Sequence, residues 1–183
     1  MSSKDLQAVD FIESFIKMGV ASLKIEGRMK SSYYLATVVS SYRRLIDSIY
    51  ENGYASKDII EQTKREIAKA ENRMTGPGFY KGIPDEKVQL YQDHDETVTQ
   101  EYVAYVLDYD TDSNVATLQV KNHFVPEGTF EIFGPHIVST KVYIGCVYDD
   151  KDQLVDICNK PMQIVKTKWS GPIEKYAMIR KIR

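Results

Sequence analysis

Cysteine is nearly absent from this sequence: Cys146 and Cys158 are the two among 183 residues. They form no C-x-x-C pair, which excludes a disulfide framework and a ribbon-type zinc site. Free, buried thiols in a reducing cytoplasm are the expectation, with a bridge as the alternative because both fall on adjacent predicted strands. Histidine is as scarce. His94, His123 and His136 have no partner at metal-ligand spacing, so no metal site is expected. No stretch reads as a signal peptide, and no run of about 18 apolar residues offers a membrane span. An excess of one charge is missing too. Twenty-four Lys and Arg balance 26 Asp and Glu for a formal net charge of -2, so nucleic-acid binding would need a local basic patch. The motifs G-x-S-x-G, P-loop and catalytic Cys-His pairing are all lacking.

What the sequence does have is a change of period. From Ser2 to about Arg73 the apolar spacing is helical. Ser2, with Asp5 at capping-box spacing, starts a first helix through Leu6, Val9, Ile12 and Ile16, and Gly19 stops it. Ala21 to Ile25 reads as a short strand. Ser31 or Ser32 caps a second helix with Leu35, Val38, Val39, Tyr42, Leu45, Ile46 and Ile49 on one face, ended by Asn52-Gly53. Ser56 caps a third through Ile59, Ile60, Thr63, Ile67 and Ala70. Residues 75–87, dense in Gly and Pro, read as a linker, and a polar run from Gln92 to Glu96 follows.

From Glu101 the period becomes two. Strands are expected at Tyr102 to Tyr109, Val115 to Lys121, Thr129 to Phe133, Lys141 to Tyr148, Gln153 to Cys158, Met162 to Lys166 and Lys175 to Arg180. So regular a series predicts a small antiparallel barrel or sandwich. The lone strand before Glu26 has nowhere to pair, and one strand–helix unit makes no stable sheet. The first part therefore reads as the tail of a larger α/β domain, or as helices packed on the β-domain.

Two groups of residues carry candidate chemistry. Glu26, Arg28 and Lys30 follow a strand and precede a helix. At the C-terminal end of a parallel barrel strand, a Glu acts as acid or base and an Arg clamps an anion. On spacing alone, a charged surface loop with Gly27 at its turn is the simpler account. Lys121-Asn122-His123-Phe124 joins basic, polar and aromatic side chains at a strand end, a combination with which small barrels bind RNA. A hairpin corner with a solvated lysine explains it as simply.

The runs Ser22-Leu23-Lys24-Ile25-Glu26-Gly27-Arg28-Met29-Lys30-Ser31, Tyr33-Tyr34, Gly78-Phe79-Tyr80, Val120-Lys121-Asn122-His123-Phe124, Phe133-Gly134-Pro135 and Pro161-Met162-Gln163-Ile164-Val165 resemble peptidase family U32 in colinear order. This collagenase-like family includes proteins of tRNA-uridine hydroxylation. Ile25 to Arg28 also spells a protease site used in engineered fusions. Strand, helix and family patterns run through it unbroken, so we read it as native.

The resemblance implies an α+β fold. Residues 1–74 would be the helical remnant of a TIM-like barrel, with one short strand and about three helices. Residues 75–95 would be the linker and 96–183 the C-terminal antiparallel β-barrel. It implies Glu26 and Arg28 as catalytic residues in the full-length context, and Lys30, Lys121, Asn122 and His123 as binding residues. No cofactor is expected in this chain; in hydroxylating members, cysteines upstream hold an iron–sulfur cluster. The expected role is an accessory, substrate- or RNA-positioning region, inactive alone, of a tRNA wobble-uridine hydroxylation enzyme. Part of a collagenase-like peptidase and a structural or dimerisation domain are the alternatives. The partners expected are tRNA or another RNA, and a second copy through exposed or exchanged helices. No membrane partner is expected.

Overall fold

The computed structural model describes residues 2–70, 75–83, 89–90 and 102–182. The boundary at Arg73, the polar run 92–96 and His94 lie outside them. The chain forms two compact units, residues 1–99 and 100–183.

In the first unit, β1 (Ser2–Ser3) pairs antiparallel with β4 (Gln89–Leu90), and β2 (Asp5–Leu6) pairs parallel with β3 (Thr75–Gly76). The first helix therefore does not begin at Ser2. It starts as a 3₁₀ turn at Val9–Phe11 and continues as α1 (Ile12–Lys17). The backbone of residues 2–6 finds its hydrogen-bond partners far along the chain, and that pairing overrides the local helical spacing.

The helices α2 (Ser32–Asn52) and α3 (Lys57–Ala68) follow the sequence pattern closely. Ser31 Oγ accepts the Tyr34 N–H at 3.1 Å, and Ser56 Oγ accepts the Ile59 N–H at 3.3 Å. At the other end of α2, Gly53 takes a φ of 79° and donates its N–H to Ile49 O, a left-handed stop that a side chain would strain. The apolar stripe of α2 puts Val38, Leu45 and Ile49 into a core with Val9, Ile12 and Ile67. Tyr33, Thr37 and Ser41 of the same helix are also buried.

Ala21 to Ile25 is not a strand. It joins no ladder among the described residues. Leu23 and Ile25 stay 42% and 40% exposed, because alternation alone makes no strand without an edge to pair with.

One charged contact in this unit is pH-sensitive. Glu13 bonds Lys17 Nζ and accepts the Ala55 N–H at 2.7 Å. Lys17 first, then that N–H, holds its carboxyl below the usual range. A depressed carboxylate stabilises the fold above its unfolded pKa and loses that contribution as pH falls through the folded pKa. In urea titrations, Glu13→Gln should be less stable than the parent at pH 7, and the gap should close in acid.

The second unit is a curled antiparallel sheet of seven strands, a half-barrel. Its strands are β5 (Tyr102–Asp110), β6 (Val115–Val120), β7 (Gly128–Phe133), β8 (Thr140–Ile144), β9 (Val147–Tyr148), β10 (Ile164–Lys168) and β11 (Met178–Lys181). Their order is β8-β7-β11-β5-β6-β10-β9. The two edge strands, β8 and β9, are separated in sequence by Gly145 and Cys146 alone, which forces the sheet to curl. Strand β11 lies inside the sheet, between β7 and β5.

Alternation sorts the faces: on β10, Val165 and Thr167 point inward while Ile164, Lys166 and Lys168 point out. Leu118, Val120, Phe124, Ile132, Ile144 and Ile179 are fully buried in the core. The expected strand from Gln153 to Cys158 is instead a loop, touching the sheet through bridges at Leu154 and Cys158. Before the loop, Asp149 Oδ1 accepts the N–H groups of Lys151 and Gln153 and closes a tight turn.

Candidate functional site

The first unit holds a cleft of about 670 Å³ between the 22–26 segment, residues 5–8, α1 and α2. Its walls are largely apolar, with Leu23, Ile25, Phe15 and Val38 among them, and its polar groups include Asp5, Glu26 and Lys30.

The three predicted residues do different things there. Lys30 bonds Asp5 Oδ2 at 2.9 Å and sits 4.8 Å over the Tyr34 ring. Glu26 is exposed; its Oε1 accepts the Arg28 N–H at 3.1 Å, and Oε2 stands 3.7 Å from Lys24 Nζ. Glu26 and Lys30 both line the cleft, whereas Arg28 is exposed and does not. A Cβ at Gly27 would meet Leu35 Cδ2, so a side chain there would have to displace the half-buried Leu35 side chain. The spacing of the motif gave no sign of Asp5, which lies 25 residues before Lys30.

In the second unit the Lys121-Asn122-His123-Phe124 turn divides in the same way. Lys121 N–H and Asn122 N–H both donate to Val103 O, and Asn122 Nδ2 donates to Tyr102 O at 2.6 Å. Phe124 is fully buried and exchanges two backbone hydrogen bonds with Cys158. His123 is exposed. Lys121 points across the outer sheet face, 4.9 Å over the Tyr105 ring and 3.2 Å from Met162 Sδ. Lys166 and Lys168 share the outward face of β10, but Lys168 Nζ is bonded to Ser113 O at 2.7 Å. Lys141 stands on β8, at the other end of the strand order.

The two thiols do not fit an iron–sulfur cluster. Cys158 is buried in the apolar core, Cys146 is exposed, and no three metal-ligating side chains converge among the described residues. The exposure of Cys146 also corrects the expectation that both thiols are buried; it sits at the corner between β8 and β9, where the chain must bend. Burial pushes the Cys158 thiol up to about 11, which suppresses the reactive thiolate. A polar maleimide should label one thiol, Cys146, in the native chain and both after denaturation. Equal rates at both thiols would contradict the burial of Cys158.

Comparison with known proteins decides the ancestry. Residues 1–90 match the family model for peptidase family U32, and residues 98–180 match that for the peptidase family U32 C-terminal domain. The chain belongs to peptidase family U32. Its relatives within this family carry two kinds of name. The tRNA hydroxylation protein P1 of Bacillus subtilis is 40% identical over 99% of this chain, which spans 43% of that protein. The tRNA hydroxylation protein P of Escherichia coli is 32% identical over 74% of this chain and 29% of its own length. A collagenase of Porphyromonas gingivalis is 35% identical over 45% of this chain and 20% of its own length.

The chain thus spans less than half the length of these U32 relatives. The crystal structure of the C-terminal domain of a U32 protein from Geobacillus thermoleovorans covers 45% of this chain and 93% of that domain. It is 37% identical, with a TM-score of 0.43. Among the described residues, no helix is long and apolar enough to cross a membrane.

Proposed function

We propose that this chain is the accessory, RNA-positioning region of a tRNA-hydroxylating U32 protein, with no catalytic activity of its own. The observation that carries this reading is the extent of the match. The tRNA hydroxylation relative aligns along 99% of the chain, the collagenase along 45%. On this reading the first unit is the last strand–helix portion of a TIM-like barrel. The 21–27 segment would pair with a strand outside this chain and present Glu26 and Arg28 to the site completed there. An iron–sulfur cluster would likewise belong to parts of the protein that this chain does not span.

The test is a filter-binding titration of the full chain with tRNA at two salt concentrations. Affinity should be measurable at low salt and fall steeply as salt rises. No affinity at low salt, together with a dimer by light scattering, would replace this reading with a structural, self-associating role. Digestion of casein by the chain would favour the collagenase-like relatives.

A further inference from the structure

The outer face of the second unit's sheet carries a cluster that neither the core nor the backbone explains. Ile164 of β10, Gln119 of β6 and Tyr105 of β5 stand side by side in register, and Met178 of β11 continues the row. Gln119 is 8% exposed, and its Oε1 accepts no hydrogen bond. Buried amide oxygens are ordinarily paired, so an orphan of this kind asks for an explanation.

Beside this row is Lys121, whose Nζ meets the Tyr105 ring face and the Met162 thioether. Both are weak acceptors for a group with three donors. No carboxylate forms a salt bridge with Lys121 among the described residues. Its charge is held in position without being neutralised.

Met162 adds a third anomaly. It occupies the third position of the turn closed by Gln163 N–H to Lys160 O, with a φ of 68°. That conformation favours glycine, and a large residue held in it is a recurrent mark of functional surface. Here it keeps a flexible apolar side chain, 60% exposed, beside an Ile164 that is 46% exposed.

These groups match one chemistry. A planar base finds an aromatic and apolar bed in Tyr105, Met162 and Ile164. A ring N–H or amino group finds an acceptor in Gln119 Oε1 once the side chains that cover this buried atom change rotamer. The attached phosphate finds Lys121. Recognition of unpaired RNA bases uses this combination, whereas duplex RNA is held by its shape and backbone.

We infer that the Tyr105–Lys121–Met162 cluster, with Gln119 at its floor, binds an unpaired nucleotide of RNA. The inference rests on the RNA-positioning reading above and narrows it to a single-stranded segment of the substrate.

The experiment follows the fluorescence anisotropy of a short oligouridylate and of a short RNA duplex with the full chain, each at several salt concentrations. Uracil supplies the N–H donor that Gln119 lacks. The wild type should bind the single strand more tightly than the duplex. Tyr105→Leu should weaken the single strand by roughly tenfold and leave duplex binding unchanged. Lys121→Gln should weaken it and lower the salt slope by about 0.7, and Lys121→Arg should restore the slope.

Emission from Trp169, the single tryptophan of the sequence and 5% exposed, reports whether each variant remains folded. Wild-type tRNA binding with both variants indistinguishable from wild type on oligouridylate would overturn the site and leave the RNA reading standing. Preference for duplex would overturn the site in the same way. Binding of neither tRNA nor oligouridylate by the wild type would overturn both.

Discussion

Replacing Arg180 with alanine is expected to destabilise the second unit by about 3–5 kcal/mol. Arg180 is fully buried, yet it lies on the face of β11 opposite the apolar core. Its Nε donates to Glu131 Oε2 at 2.6 Å, its Nη2 donates to Ser139 Oγ at 2.8 Å, and the guanidinium lies 4.5 Å over the Phe133 ring. Truncation removes the cation and leaves the Glu131 carboxylate, 13% exposed, without that partner.

An uncompensated buried charge costs more than the pair contributes. For that reason Arg180→Met combined with Glu131→Leu should recover most of the loss. Urea unfolding followed by Trp169 fluorescence measures both. A loss below about 1 kcal/mol for Arg180→Ala would place the pair with ordinary surface ion pairs and refute its structural role.

Phe124→Ala should cost about 3–5 kcal/mol in the same assay. Its ring is fully buried, edge-on to Phe130 at 5.4 Å, and its backbone ties the 121–124 turn to Cys158. His123→Ala, one residue earlier and exposed, should stay within about 0.5 kcal/mol of the parent. The contrast separates the residues of this turn that build the unit from those free to meet a ligand. If His123→Ala proved as costly as Phe124→Ala, that division would be wrong.

Much of the fold was legible where a signal is local. The caps at Ser31 and Ser56, the left-handed Gly53, and the apolar face of α2 all follow from side chains within a turn or two of one another. Five of the seven strands expected in the second unit follow from alternation, with ends shifted by up to three residues. Lys141 to Tyr148 is divided into β8 and β9, and Gln153 to Cys158 is a loop. The candidate sites were legible only as motifs. Lys121 was visible as a charge at a strand end. Its setting among Tyr105, Gln119 and Met162 comes from three other segments brought together by pairing. Lys30 likewise read as a charge after Glu26, while its bond to Asp5 depends on where the N-terminal segment runs.

By itself, then, the sequence determined the period of each segment, the caps that start and stop its helices, the family to which it belongs, and a short set of charged residues to consider. The tertiary structure decided what pairs with what. It turned Ser2–Leu6 from helix into two strand fragments, left 21–25 without a ladder, made 153–158 a loop, and buried Arg180 on a face that alternation alone would assign to water. The reason is common to all four. Backbone hydrogen bonds carry no residue identity, so which strand meets which is settled by long-range packing, and burial follows from that choice.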